Sequence, residues 1–403
     1  MNSPALTGGD PALLRRLNTE AVLRVLRSAE PMTLTQIGRA AALSRQTVDV
    51  VIDELGGSGW IEEVAPERSI GRPARRYRFR AEAAHVLGVD IGVGGLRMTL
   101  TDLDGTVVAS RHTEIAPSHG GATRLEAVRT GTQRFLAAHP DARLRALCLG
   151  VPGIIDAQGR VRLSTPLPEW NGLDLAGVAG AWFDCPAYAE NDANLAALAE
   201  HWLGAAQHAD DFIQLIAGHR TGVGMMLGGR LHRGRGGAAG EIGALAVLGW
   251  EGAAMSDVRE AEDPARIFAD AQAGDAVAAE HVDRFARTLA QGIAAMVLTV
   301  NPDLVVIGGG LSQAGEAAVG PIRGHLESLC LDPPRVDSSA LGVEAVALGA
   351  ARLALDHLNA QLFGLHGSPA NPPPSASASA VGGTARPLNR DAFQPPAGQA
   401  GGR

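Results

Sequence analysis

The chain has 403 residues, 46% hydrophobic and only 4% aromatic, with a formal net charge of −8. That supports a large core built on Ala, Val and Leu, and a length suited to one small domain plus a body big enough to divide again. Three scattered cysteines, Cys148, Cys185 and Cys330, exclude a disulfide framework, and no apolar run approaches the roughly 20 residues that cross a bilayer, so the expectation is a cytoplasmic protein with no membrane partner.

The first 11 residues read as loose. Leu13–Arg27 has helical spacing through Leu13, Leu14, Leu17, Val22, Leu23 and Leu26. Thr33 with Gln36 forms a capping box that opens a short helix running to Ala40. Ser44 caps the next helix, Arg45–Leu55. Its Val48, Val51, Ile52 and Leu55 share one face and leave Arg45, Gln46, Thr47 and Asp49 on the other. Gly56, Gly57 and Gly59 stop it. Two strand-like runs, Trp60–Val64 and Arg76–Arg80, flank a loop that reads Gly71-Arg72-Pro73-Ala74-Arg75-Arg76. This order predicts a winged helix-turn-helix. Arg45, Gln46, Thr47 and Asp49 would read the major groove of double-stranded DNA, with Arg72 and Arg75 on a basic wing at the backbone or minor groove. The plainer alternative is a small helical bundle with an arginine-rich linker. Charge favours the first: residues 1–80 carry 12 Arg against 9 Asp or Glu, a net of +3, while the remainder is net −11. A basic end on an acidic body places phosphate contacts at one end of the molecule. All 35 basic residues are arginine, which we read as genomic composition.

Past a junction at Arg80–His85, the body opens with a strand, a glycine turn, a second strand and a hairpin: Val86–Ile91, Gly92–Gly95, Leu96–Leu103, Asp104-Gly105, Thr106–His112. Thr123–His139 reads as an amphipathic helix, Leu144–Val151 as a buried strand, Ala187–Glu190 as a short strand and Ala193–Leu203 as a helix. The plan then repeats. Phe212–Ala217 and Gly222–Leu227 surround a glycine turn, followed by a hairpin at Gly228-Gly229-Arg230, a long helix Val282–Asn301, a buried strand Asp303–Ile307 and a turn Gly308-Gly309-Gly310. The repetition predicts an α/β body of two lobes of mixed sheet facing a ligand cleft. The expected domains are a DNA-binding unit at 12–80, a first lobe at 85–204 with a C-terminal helix at 343–358, a second lobe at 205–342, and a disordered Pro, Ser, Ala and Gly tail at 367–403.

Four places carry candidate chemistry. Asp90 ends a buried strand just before Gly92, where backbone N–H groups can approach phosphate and a carboxylate can hold Mg²⁺ through water; an ordinary glycine hairpin is the alternative. Asp192, in Glu190-Asn191-Asp192, is placed to cap the following helix and equally to act as a general base in phosphoryl transfer. Thr221 and Gly222 lie in a second glycine turn suited to phosphate. Gly308 and Gly309 leave room for a nucleoside, or simply turn a strand into a helix.

The ordered set DIG (Asp90–Gly92), GVPG (Gly150–Gly153), ENDAN (Glu190–Asn194), TGVG (Thr221–Gly224), GRLHRG…GGAAGEIG (Gly229–Gly243) and NPDLVVIGGG (Asn301–Gly310) closely resembles the ROK family of repressors and sugar kinases over roughly residues 13–358. The fused N-terminal unit is similar to the transcriptional-regulator branch, typified by xylose and N-acetylglucosamine repressors. The resemblance implies a body with the actin-like, hexokinase-like ATPase fold. It makes Asp192 the counterpart of the kinase base and Asn191 and Glu241 the counterparts of sugar contacts. The departures are equally informative. Where kinases read DxGGT, this chain has Asp90-Ile91-Gly92-Val93-Gly94. Ala244 replaces the histidine of the ExGH motif, and Leu245–Asp257 lacks every cysteine of the zinc motif, so no zinc or other metal is expected. Whether ATP binds at Asp90, Gly92, Thr221, Gly222, Gly308 and Gly309 is left open, and these positions are read as vestigial.

The leading expectation is therefore a DNA-binding transcriptional regulator, a repressor of carbohydrate-related genes. It would act as a homodimer or dimer of dimers on an inverted-repeat operator, with a sugar-like effector in the cleft at Asn191, Asp192 and Glu241. No catalytic residue is expected, Asp192 being a vestigial base. The alternatives are a sugar kinase with a DNA-binding appendage, and a regulator whose cleft has lost sugar binding.

Overall fold

The computed structural model describes residues 11–27, 30–65, 74–217, 220–259 and 264–363. Of the N-terminus expected to be loose over residues 1–11, residues 1–10 lie outside the described residues and Pro11 instead opens a helix; the wing tip with Arg72 and the tail expected at 367–403 also lie outside them.

Three helices and a small sheet form the N-terminal unit. Helix α1 (Pro11–Arg27) is followed by strand β1 (Met32–Thr33), helices α2 (Leu34–Ala40) and α3 (Arg45–Gly57), and strands β2 (Ile61–Val64) and β3 (Arg76–Phe79). The strands run in the order β1-β3-β2, all antiparallel. The Thr33–Gln36 capping box forms as the spacing predicts, and Ser44 caps α3 through the amide of Thr47. Val48, Val51, Ile52 and Leu55 are buried against Val22, Leu23 and Leu26 of α1 and Ile37 of α2. The helix expected over Leu13–Arg27 forms within α1, but of its spaced leucines Leu13, Leu14 and Leu17 are about half exposed. Periodicity identifies an apolar face without supplying its partner.

The body holds two five-stranded sheets. The first is built from β4 (His85–Ile91), β5 (Gly95–Asp102), β6 (Val107–Glu114), β7 (Leu144–Val151) and β10 (Ala187–Asn191). Between them come α4 (Gly121–Ala137), the small ribbon β8 (Ile154–Ile155) and β9 (Val161–Leu163), and α5 (Leu175–Phe183); α6 (Asp192–Leu203) follows β10. The second is built from β11 (Phe212–Ala217), β12 (Thr221–Leu227), β13 (Arg230–Leu231), β14 (Leu304–Gly308) and β15 (Arg335–Ser338). Helices α7 (Ala253–Arg259), α8 (Pro264–Gln272), α9 (Ala276–Val300) and α10 (Glu316–Leu329) accompany it, and α11 (Ala345–Phe363) closes the described chain.

Both sheets have one plan. In each, the first strand is central, pairs antiparallel with the second, and pairs parallel with the fourth, giving the orders β6-β5-β4-β7-β10 and β13-β12-β11-β14-β15. The central strands are apolar along their length because helices cover both faces of a parallel core. Helix α11 is buried on nearly every side, from Ala345 to Leu358, as befits a helix running through a core. It packs on β4 and β7 of the first sheet and on α6. The expected helix at 343–358 therefore extends further, to Phe363. No helix among the described residues is long and apolar enough to cross a membrane.

Candidate effector cleft and recognition helix

The sheet topology gathers the candidate residues. Parallel strands β4, β7 and β10 end side by side, so Asp90, Gly150 and the Glu190-Asn191 pair meet at one edge of the first sheet. Asp90 lies opposite Arg97 on β5, and its carboxylate is 3.9 Å from the Arg97 guanidinium. Arg97 in turn sits 3.8 Å from Glu344, the residue preceding α11. Arg124 of α4 is buried and donates to the Gly92 carbonyl at 2.9 Å, with Ala116 and Pro117 carbonyls completing its reach. This arginine braces the Gly92–Gly94 turn from below.

Asp192 is not the helix cap that its position suggests. Asn191 is the cap: its Oδ1 accepts from Asn194 N at 3.0 Å, and its Nδ2 donates to the Gly153 carbonyl at 3.0 Å. The amide of Asn191 is thus committed to the scaffold. Asp192 becomes the first helical residue, with Oδ1 accepting the neighbouring Ala193 N–H at 2.8 Å. A Cβ added at Gly222 would lie 3.7 Å from that same oxygen, so the start of β12 in the second sheet faces the Asp192 carboxylate. Thr221, Gly222, Gly308 and Gly309 share this edge, because β12 and β14 both flank β11. The buried Glu190 accepts from Asn191 N and Asn194 Nδ2 and is ion-paired with Arg233, beyond β13. A first-lobe acid and a second-lobe base are thereby linked across the cleft floor.

Glu241 opens a short 3₁₀ turn, Glu241–Ala244. The next segment, Ala244–Leu248, has no metal-ligating side chain, and no cluster of three or more His, Cys, Asp or Glu able to hold a metal occurs among the described residues. The residues do not fit the family's zinc. An indole anchors the loop instead: Trp250 is buried, donates its Nε1–H to the Thr288 carbonyl at 3.1 Å, and packs over Gly243 and Gly292.

Burial dominates the electrostatics. It pushes the Asp90 carboxyl up to about 7, with the Asp192 charge adding to the rise and Arg97 opposing it. It raises Asp192 to about 6, with the Ala193 N–H pulling down and Glu241 pushing up. Glu241 is raised by burial against the pull of Arg220. Three acids crowd one cleft and each is held toward its neutral form, an arrangement able to donate and accept hydrogen bonds around hydroxyl groups.

At the other end of the molecule, Arg45, Gln46 and Asp49 are exposed on the first turns of α3. Thr47 differs, because its hydroxyl is bonded to Ser44 Oγ at 2.8 Å, which commits it to the cap. Arg75 is exposed and lies 3.6 Å from Glu63. Sequence reasoning missed Arg97, Arg233 and Glu344. Arg97 was open to detection, since a tight hairpin places it opposite Asp90; the other two meet their partners only through tertiary packing.

Comparison with known proteins fits this architecture. The ROK family profile matches residues 86–249 and 252–357, well over half of the sequence. The chain belongs to the ROK family. It is 26% identical over 353 residues to the xylose repressor of Caldicellulosiruptor bescii, spanning 78% of this chain and 88% of that protein. It is 28% identical over 307 residues to a glucokinase of Halalkalibacterium halodurans, spanning 65% of this chain and 92% of the glucokinase. Among solved structures, a ROK family transcriptional regulator, a homolog of the E. coli MLC protein, superposes with a TM-score of 0.69 at 20% identity, covering 88% of this chain and 98% of the other. The body accordingly has the two-lobed actin-like fold.

Proposed function

We propose that this ROK protein is a sequence-specific DNA-binding repressor of carbohydrate-related genes, with a sugar or sugar derivative as effector in the cleft between the lobes. One observation carries the reading: a capped helix exposes Arg45, Gln46 and Asp49 on a winged unit that is packed directly onto the body's last helix. Repressor relatives support it, and the xylose repressor match spans more of this chain than the glucokinase match does. A homodimer or dimer of dimers would set two recognition helices on an inverted repeat one or two helical turns apart. Asn191 shapes the cleft wall, while Asp192 and Glu241 face the ligand's hydroxyls. A polar site of this kind rejects ligands that leave its buried groups unpaired.

Kinase activity is a second reading, and it rests on Asp192 being near the second-lobe glycine edge. Against it, Val93 and Gly94 replace the Gly and Thr of the kinase hairpin, and Arg97 already supplies a cation beside Asp90. The deciding experiment selects an operator from random duplex DNA and measures its affinity with D-xylose, D-glucose, N-acetylglucosamine and their phosphates. We expect a palindromic site whose affinity changes with at least one sugar, a response weakened by Asp192→Asn. Absence of any sequence preference, or sugar-dependent ADP release abolished by Asp192→Asn, overturns the repressor reading.

A further inference from the structure

The two ends of α11 touch the two functional regions. At its start, Glu344 lies 3.8 Å from Arg97, which lies 3.9 Å from Asp90 in the cleft. At its end, Phe363 is buried in a socket made by the N-terminal unit. Its ring meets Trp60 edge-on at 5.6 Å and Phe79 at 6.3 Å. Arg27, the last residue of α1, lies over both phenyl rings, 4.5 Å from Phe79 and 5.5 Å from Phe363. The same guanidinium donates to Asn359 Oδ1 at 2.8 Å and stands 3.7 Å from Asp104 in the β5–β6 turn. Nineteen helical residues separate these ends, about 28 Å at 1.5 Å per residue.

Between its ends, α11 is held backbone to backbone. A side chain at Gly88 would overlap the Ala347 carbonyl, so β4, which carries Asp90, lies directly on α11. A side chain at Gly349 would overlap the Leu195 carbonyl, so α11 crosses α6 with backbone against backbone. On its far side, α6 meets the second sheet the same way, with Gly224 of β12 against the Ala193 carbonyl. Helix α6, which begins at Asp192, is therefore held between the second sheet and α11, which rides on the Asp90 strand, so a movement of the second lobe bears on α11 through α6. Backbone surfaces this close cannot deform smoothly and accommodate lobe movement by sliding.

We propose that α11 is the rod that transmits the state of the cleft to the DNA-binding unit, with Arg27 and Phe363 as the positioning contact at its far end. The inference rests on the repressor reading and names how that site is regulated. Closing the lobes around a ligand shears α6 against α11 at Leu195 and Gly349. The displaced rod shifts Phe363 within the Arg27, Trp60 and Phe79 socket and re-aims α3. Burial without a full counter-charge supports a contact of this sensitivity: it lowers Arg27 from its usual value and raises Asp104 to about 6.

The test is a double-mutant cycle on the full chain with no sugar present, read as dissociation constant on the selected operator. Positions this far apart are ordinarily additive. We expect Glu344→Ala to shift operator affinity by about fivefold or more in the parent and by less than about twofold in a Phe363→Ala background, the collapse expected when one coupling path is cut. Phe363→Leu, which keeps an apolar filling, should retain most of the Glu344→Ala shift and guards against a merely unfolded Phe363→Ala. The same cycle read as amide exchange in β3 needs no DNA, so a protein without operator preference fails the repressor reading while still testing the rod. Equal shifts in both backgrounds, or no shift in either, overturn it.

Discussion

The proposed recognition helix and the proposed effector cleft employ opposite physics. On α3, Arg45, Gln46 and Asp49, the side chains proposed to meet DNA, are exposed and the helix is closed by its own Ser44 cap; their chemistry is that of isolated side chains. In the cleft, Asp90 owes its character to burial and to the Asp192 charge, and Asp192 owes its own to burial and to Glu241. Regulation requires the second kind of site, because a ligand that redistributes charge and closes the lobes must change a balance already poised. A DNA reader instead needs constancy. The two regions should consequently respond differently to substitution.

The largest effect is expected in the cleft wall. Trp250→Ala removes the ring packed on Gly292 and over the Glu241 turn, leaving a cavity that costs about 3–5 kcal/mol of stability. Urea unfolding would show it as a lowered midpoint, and the folded variant should still recognise its operator. A cost below about 1 kcal/mol would mean the indole does not anchor this loop.

On the recognition helix the effect falls on affinity. Arg45→Ala should weaken binding to the selected operator by about 1–3 kcal/mol and relax preference at one base pair, with the melting temperature unchanged because the side chain is exposed. Gel-shift titration against single-base operator variants measures both; uniform weakening at every base would reduce Arg45 to a phosphate contact.

The smallest effect is a pH signature confined to the cleft. The folded protein holds Asp90 protonated up to about 7, against 3.8 for the free side chain. Between those values the fold binds more protons than the unfolded chain, so this group's contribution is present at low pH and is lost as pH rises through about 7. Asp90→Asn should therefore stabilise the ligand-free protein by on the order of 1–2 kcal/mol at pH 8 and leave it unchanged near pH 4. Identical pH profiles of melting temperature for parent and variant would contradict a poised cleft.

Much of this was legible in the residues alone. The Thr33–Gln36 capping box, the Ser44 cap and the a-face of Val48, Val51, Ile52 and Leu55 are short-range signals, and each appears as the spacing predicts. So are the buried strands Leu144–Val151 and Phe212–Ala217, whose ends match the expected ones. Other elements gave no such signal. The α5 helix, the β8–β9 ribbon and β15 are short or weakly patterned. Asn191 displaced Asp192 as the cap because its side chain reaches the Asn194 amide, a choice between adjacent residues that spacing does not decide.

The sequence by itself determined the repeated strand, glycine turn, strand plan, the basic N-terminal unit, the ROK motifs and the loss of zinc ligands, since each depends on residue type within a few positions of the chain. Tertiary structure alone decided that Glu344 joins Arg97 beside Asp90, that Glu190 is paired with Arg233 across the lobes, that Trp250 anchors the Glu241 turn, and that Phe363 reaches Arg27. Among these contacts, Glu190 and Arg233 stand 43 positions apart and Arg27 bonds a residue more than 300 positions away, while Trp250 reaches the Thr288 carbonyl 38 positions on. Their energies come from burial and from charge in a low-dielectric interior, quantities that exist only once the two sheets and α11 are packed together.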